Sequence, residues 1–209
     1  MDFHRGFLNK LKMKPIKFMK FLLTILILIF TLQIPSQADD IRDFQIEGIS
    51  IGDSLLDHFS KEEIEKGMRP DYYPSKKFIK VEFWHATLNK YDTLSAHIKN
   101  KDKKYKVYQI SGAILFNDSV NECYTKQKEV IKNLSSMFES AEPYDSGRQI
   151  HESVDKESTY DRYDFEFKSG SSISITCYNW SDASGYTDHL AVGANSKEFN
   201  FWLNNEAFN

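Results

Sequence analysis

The chain has 209 residues, with 27 lysines and arginines against 30 aspartates and glutamates, and a net charge of −3. Without a basic leader over residues 1–38, the other 171 residues hold 21 basic and 29 acidic side chains, a net charge of −8. Such a domain lacks the cationic surface that neutralises phosphates, which argues against binding of nucleic acid or of anionic lipid.

The N-terminal segment has the three parts of an export signal. Six lysines and arginines precede or flank an apolar run over residues 21–32, and Ser36-Gln37-Ala38 follows ahead of Asp39. About a dozen apolar residues suit a signal-peptide core and fall short of the roughly 20 that span a bilayer. We therefore predict cleavage between Ala38 and Asp39, and an exported domain over residues 39–209 that is periplasmic or secreted.

Two alternatives stay open for this segment. An uncleaved leader would anchor the domain, and the protein would then contact the membrane only through the leader. Translation from Met13 instead of Met1 would give a leader of ordinary length.

Short helical pieces are predicted at the start of the mature chain. Asp53 or Ser54 can cap the first piece, in which Leu56 is expected to turn inward. Ser60 and Glu63 form an S-x-x-E capping box at the start of the second.

Three strands follow, in the segments "KFIKVEFWHA", "YDTLSAHI" and "YKVYQISGAILF", and the polar "KNKDKK" is predicted as a hairpin turn. Gly112 in the third strand indicates a bulge or a close approach of another group to the backbone.

The clearest helix is predicted over residues 120–141, with a capping box from Ser119 and Glu122. A polar loop is predicted over residues 142–158. Three more strands are predicted in "STYDRYDFEFKSG", "SISITCYNW" and "DHLAVGA", before a terminal helix capped by Asn195 or Ser196.

This order of elements indicates an α+β fold, an antiparallel sheet or sheets with the long helix packed on one face. A helix followed by three strands occurs twice, so a pseudo-repeat is an open alternative, although no residues match between the halves.

The two cysteines lie on apolar faces of different elements. Cys123 lies on the apolar stripe of the long helix, and Cys177 lies on the apolar face of a strand. In an oxidising compartment the two can form a disulfide, which we predict; the alternative is two buried thiols.

Two stretches carry candidate ligand-binding residues. Trp84 and His85 end a strand, where the histidine could serve as a general base or ligand. "CYNWSDASGYTDH" combines aromatic side chains with carboxylates around a loop, and either a ligand or an ordinary hairpin would explain it. Its candidates are Tyr178, Trp180, Asp182, Asp188 and His189.

Motifs for other chemistry are missing from the sequence. The histidines show no zinc-ligand spacing, and no EF-hand loop, nucleophile elbow or dinucleotide fingerprint is present. We therefore predict no catalytic residue, no metal site and no cofactor.

The segments "IEGISIGDSLLDHFSKEEI", "YKVYQISGAILF", "SISITCYNWSD" and "SKEFNFWL" together resemble a family of small exported proteins of marine alphaproteobacteria. The likeness covers the whole mature chain. It implies a location in the bacterial envelope and assigns no role to any residue.

The favoured hypothesis is a non-catalytic binding or interaction module in the periplasm, with an envelope protein or a small ligand as its partner. The alternatives are a small hydrolase-like envelope enzyme, which would use His85 or the loop between Asp182 and His189, and an inhibitor of an envelope enzyme.

Overall fold

The computed structural model describes residues 40–84, 88–116 and 119–209, so the predicted leader and its cleavage site between Ala38 and Asp39 lie outside the described residues. The helices are α1 (Lys61–Gly67), α2 (Val120–Met137) and α3 (Lys197–Asn205). The strands are β1 (Met68–Arg69), β2 (Phe78–Phe83), β3 (Thr93–Lys99), β4 (Val107–Leu115), β5 (Glu142–Ile150), β6 (Thr159–Glu166), β7 (Ser172–Asn179) and β8 (His189–Asn195). None of the helices in these ranges is long and apolar enough to cross a membrane.

The strands form one antiparallel sheet in the order β1-β2-β3-β4-β8-β7-β6-β5. Two runs of four consecutive strands therefore lie side by side and meet where β4 pairs with β8. Helix α1 precedes the first run and α2 precedes the second. The predicted α+β class with an antiparallel sheet is confirmed, but each run has four strands where the sequence predicted three.

Strand β5 occupies residues 142–150 of the loop predicted over residues 142–158, so the prediction is wrong for that part and agrees with the structure over residues 151–158. None of its side chains is buried. It lies at the sheet edge and pairs with β6. Because a strand without a buried face has no need of alternating apolar side chains, hydrophobic periodicity does not reveal it.

The two faces of the sheet differ in chemistry, because successive side chains point to opposite sides of a strand. On one side, which we call the closed face, six strands contribute an aligned row of buried apolar residues: Val81, Ala96, Ile110, Ala194, Ile173 and Phe165. On the other side, the open face, the adjacent row consists of Glu82, Ser95, Ser111, Gly193, Ser174 and Asp164.

Helix α2 is joined to the sheet by a covalent bond and by hydrogen bonds. Cys123 on α2 and Cys177 on β7 form a disulfide with a Cα–Cα distance of 6.0 Å, which confirms the predicted pairing. Buried Gln127 donates from Nε2 to the carbonyl oxygens of Asp161 (2.8 Å) and Ile175 (3.1 Å). These bonds attach one side of the helix to β6 and β7.

Helix α3 packs on one end of the open face. Its Phe199 and Trp202 pack with Tyr73 and Phe78 in a small hydrophobic core, separate from the core under the closed face. Trp202 Nε1 donates to Ser75 Oγ at 3.1 Å, so the indole is both buried and hydrogen-bonded.

Several local predictions agree with the structure. Ser54 and Ser196 accept hydrogen bonds as N-caps, at a 3-10 helix over Leu55–Asp57 and at α3. Ser60 and Glu63 form the predicted capping box of α1.

Other local predictions are wrong. The side chain of Ser119 makes no capping hydrogen bond, and α2 ends at Met137, several residues before the predicted end, because Phe138 leaves the helical conformation. Leu56 is 43% exposed instead of turned inward, since the 3-10 helix directs only Leu55 to the core.

Gly112 on β4 packs against the ring of Tyr91, as the predicted close approach required. A Cβ at this position would lie 2.4 Å from Tyr91 Cγ. We expect Gly112→Ala to lower the free energy of unfolding by about 2 kcal/mol in urea denaturation, because overpacking displaces the ring. In a Tyr91→Ala background the same substitution should cost less than about 0.5 kcal/mol, whereas an equal cost in both backgrounds would contradict the steric explanation.

Candidate site on the open sheet face

Small side chains line the centre of the open face. Next to the row of serines lies a second row, formed by Thr93, Ala113, Ala191 and Thr176. Ser95, Ser111 and Ser174 are half-buried, so solvent reaches them. The centre of this face is therefore a low, polar surface, with α3 at one end.

A carboxylate-anchored arginine borders this surface on β6. Arg162 donates from Nε and Nη2 to Asp164, at 2.8 to 3.0 Å, and Ser174 Oγ donates to Asp164 Oδ1 at 2.6 Å. Burial alone would lower the pKa of Arg162, but the hydrogen bonds to Asp164 outweigh it and raise that pKa. The guanidinium is thus held as a cation, with its side chain 42% exposed above a buried carboxylate.

A second charged group borders the surface on β1 and β2. Glu82 contacts Lys80 Nζ at 2.7 Å and Arg69 Nε at 3.2 Å. Partial burial would raise the pKa of Glu82, but these two cations lower it. Lys80 also lies over the ring of Tyr72, 4.4 Å from its centroid.

The end of the open face opposite α3 carries a group of rings, which we call the aromatic cluster: His151, Tyr160, Tyr178, Trp180, Tyr186 and His189. Tyr178 and Trp180 stack with centroids 5.3 Å apart and planes 3° apart. His189 stacks on Tyr178 at 4.7 Å, and Tyr186 contacts Trp180 at 4.9 Å. The rings therefore form one continuous series of packed aromatic side chains.

Two aspartates hold the loops of this cluster in place. Asp188 Oδ1 accepts from the backbone N–H of Trp180 at 2.7 Å. Asp155 accepts from the hydroxyls of Ser158 and Ser181, at 2.8 and 2.9 Å, and from the backbone of Ser158. These donors, the Ser158 backbone first, lower the pKa of Asp155 to about 2, so it is a carboxylate at neutral pH.

His189 has the chemistry of a neutral hydrogen-bonding group. Its Nδ1 lies 2.9 Å from the carbonyl oxygen of Thr187, which can only accept, and 3.3 Å from the indole Nε1 of Trp180, which can only donate. The shorter contact, to Thr187, corresponds to the tautomer in which Nδ1 carries the proton. Burial lowers the pKa of His189 and favours that neutral form. A carbonyl orients the ring here, whereas a carboxylate does so in hydrolytic triads.

The structure brings some of the predicted site residues together and separates others. Tyr178, Trp180, Asp188 and His189 meet in or beside the aromatic cluster. Asp182 lies exposed in a 3-10 turn, and Trp84 is 68% exposed just after β2. His85 lies outside the described residues.

Sequence reasoning missed the charged border of the open face. Arg162, Asp164 and Ser174 were not candidates, although the alternation in "YDRYDFEF" already put the first two on the side of β6 opposite Phe165. The signal that could have found them is the Arg-x-Asp spacing, which places a cation and an anion on the same face of one strand.

Within the described ranges, no group of three or more histidine, cysteine or acidic side chains is arranged to hold a metal ion. The groups that the open face presents for binding are hydroxyls, paired charges and aromatic rings. Comparison of the chain with protein-family models, with curated proteins and with solved structures found no match.

Proposed function

We propose that this protein is a non-catalytic, exported interaction module that binds a protein partner in the bacterial envelope through the open sheet face. In this proposal the leader is cleaved after Ala38, and α2 packs on the closed face of the sheet. The two halves of the domain, each a helix followed by strands, form a pseudo-repeat. The disulfide supports an oxidising compartment, because such bonds are rare in the cytosol.

The observation that carries the proposal is the exposure of aromatic side chains around a low surface of small residues. Tyr144 pairs with Asp164 in the sheet register and is 59% exposed, and Trp84 continues the alternation of Lys80 and Glu82. Tyr and Trp with arginine are the residues that contribute most binding energy at protein interfaces.

The size of the surface fits a macromolecular partner. Six strand spacings separate β2 from β5, or about 29 Å at about 4.8 Å each. The two rows of small side chains and the adjacent row of Tyr160, Tyr178 and His189 extend about 20 Å along the strands, which gives about 600 Å² before the border residues are included. A standard interface buries about 800 Å² on each partner, so a small molecule would leave most of this surface empty.

Inhibition of an envelope enzyme is the special case in which the bound partner is an enzyme. It needs no further feature of the open face, and the same experiment addresses it.

The test compares variants of the full chain, purified with a C-terminal tag from the cells that produce it. Proteins bound to the wild type are identified by mass spectrometry, and the purified partner is titrated by calorimetry. We expect Trp84→Ala and Tyr144→Ala each to weaken binding by about tenfold or more, as hot-spot truncations do.

The matched control is Phe201→Ala, which removes a ring that is 59% exposed on α3. Binding by this variant should stay within about twofold of the wild type, since surface truncations outside an interface have little effect. Unchanged affinity in both open-face variants, with unaltered melting temperatures, would contradict the proposal.

A further inference from the structure

A cleft of about 500 Å³ lies on the other side of the sheet, between α2 and the strands β5 and β6. Its volume is typical of small-molecule sites. The side chains that matter for its chemistry are Tyr124, Gln127, Lys128, Arg148, Asp161 and Tyr163. Asp161 and Tyr163 alternate with Arg162, so the cleft and the open face are separate surfaces.

The cleft contains an arginine and an aspartate that are direct neighbours without forming an ion pair. Arg148 on β5 and Asp161 on β6 are opposite each other in the register, which places their Cβ atoms about 5 Å apart. Arg148 instead holds its guanidinium carbon 5.0 Å from the centre of the Tyr124 ring on α2. Among the described residues, the carboxylate of Asp161 has no hydrogen bond or ion pair.

Gln127 supplies an acceptor close to this aspartate. Both protons of its Nε2 are donated to backbone carbonyls, one of them the carbonyl of Asp161. Its Oε1 is therefore the acceptor that remains, on a side chain that lines the cleft. The Asp161 carboxylate and this amide oxygen are both groups that accept from an ammonium.

The charges around the cleft balance. Asp145 and Asp161 face Lys128 and Arg148, so neither a simple cation nor a simple anion would be favoured by the field of the whole cleft. A ligand that carries one charge of each sign satisfies both members of the separated pair.

We propose that this cleft binds a small zwitterion, a free amino acid or a short peptide. Its ammonium group bonds to the carboxylate of Asp161 and to Gln127 Oε1. Its carboxylate takes the free donors of Arg148, and the rings of Tyr124 and Tyr163 contact its carbon atoms. The site is independent of the partner proposed for the open face.

The experiment titrates the full chain with L-leucine and with L-alanyl-L-leucine, using calorimetry and NMR shifts of the tyrosine rings. Saturable binding of the first probe identifies a free amino acid as the ligand, and a clear preference for the second identifies a short peptide. N-acetyl-L-leucine lacks the ammonium and L-leucinamide lacks the carboxylate, so each should bind about tenfold or more weakly.

Two variants assign the contacts. In Asp161→Asn the acetylated and free probes should bind alike, and in Arg148→Met the amide and free probes should bind alike. Asp182→Asn removes an exposed carboxylate elsewhere and should leave the affinity unchanged.

Three results would overturn the assignment: no saturable binding of either probe at millimolar concentration, equal binding of glucose, or unchanged affinity in both cleft variants. Since Trp84→Ala does not touch the cleft, a loss of partner binding without loss of probe binding separates this inference from the proposed function.

Discussion

We expect the Cys123→Ala/Cys177→Ala variant to lose about 4 kcal/mol of its free energy of unfolding, a value that the chain-entropy model assigns to a loop of this length. The disulfide joins residues 54 positions apart, and both cysteines are fully buried. Without the bond, the unfolded chain has a higher conformational entropy, which lowers the free energy of unfolding. Guanidinium denaturation of both proteins, followed by circular dichroism, measures the difference.

The control for this prediction is the wild-type chain denatured and refolded in the presence of a reductant. It should show a similar loss, since it lacks the bond but keeps both sulfur atoms. A double variant within about 1 kcal/mol of the oxidised wild type would contradict the prediction, and would mean that hydrogen bonds such as those of Gln127 hold α2 on the sheet without covalent help.

We expect acidification from pH 7 to pH 4 to remove about 3 kcal/mol of stability through a single histidine, His97. Its side chain lies on β3 beneath α3, between the rings of Tyr73 and Phe199, at 5.7 and 4.6 Å. Nδ1 bonds to Gln109 Oε1 at 2.6 Å, and buried Nε2 has no hydrogen-bond partner among the described residues.

Burial lowers the pKa of His97 from 6.5 to about 4, partly opposed by the bond to Gln109. Lys80 lowers this pKa further and Glu82 raises it. Between these two values the unfolded chain binds a proton that the folded protein excludes, so stability falls as the pH falls. The loss begins near pH 6.5, reaches about 2 kcal/mol at pH 5 and about 3 kcal/mol at pH 4, and levels off below pH 4.

The comparison is with His97→Gln, which keeps a hydrogen-bonding group beside Gln109 but does not titrate. Urea denaturation at several pH values measures the free energy of unfolding of each protein. Between pH 7 and pH 5 the wild type should lose about 2 kcal/mol more of this free energy than His97→Gln. Parallel pH profiles for the two proteins would show that His97 is accessible to protons in the folded state. His189, whose pKa burial also lowers, contributes equally to both profiles and cancels.

Sequence alone determined the features that depend on neighbouring residues. A serine three positions before a glutamate predicts the capping box at Ser60, and alternation of apolar side chains predicts the buried faces of β2, β3 and β7. The disulfide also followed from local patterns, because both cysteines lie on apolar faces that a helix packed on a sheet would bring together. Such signals need only the geometry of a single helix or strand.

Only the tertiary structure decided which strands are neighbours and what the two faces of the sheet bring together. The pairing of β4 with β8 joins segments about eighty residues apart and puts Ser111 beside Gly193, a contact with no signature in either segment. Residues 142–150 form a strand because they pair with the free edge of β6. Arg148 makes no ion pair with Asp161 because its guanidinium lies over the ring of Tyr124 on α2. The physical reason is that pairing across a sheet depends on the register of distant segments, whereas residue patterns record only how each segment meets its own core.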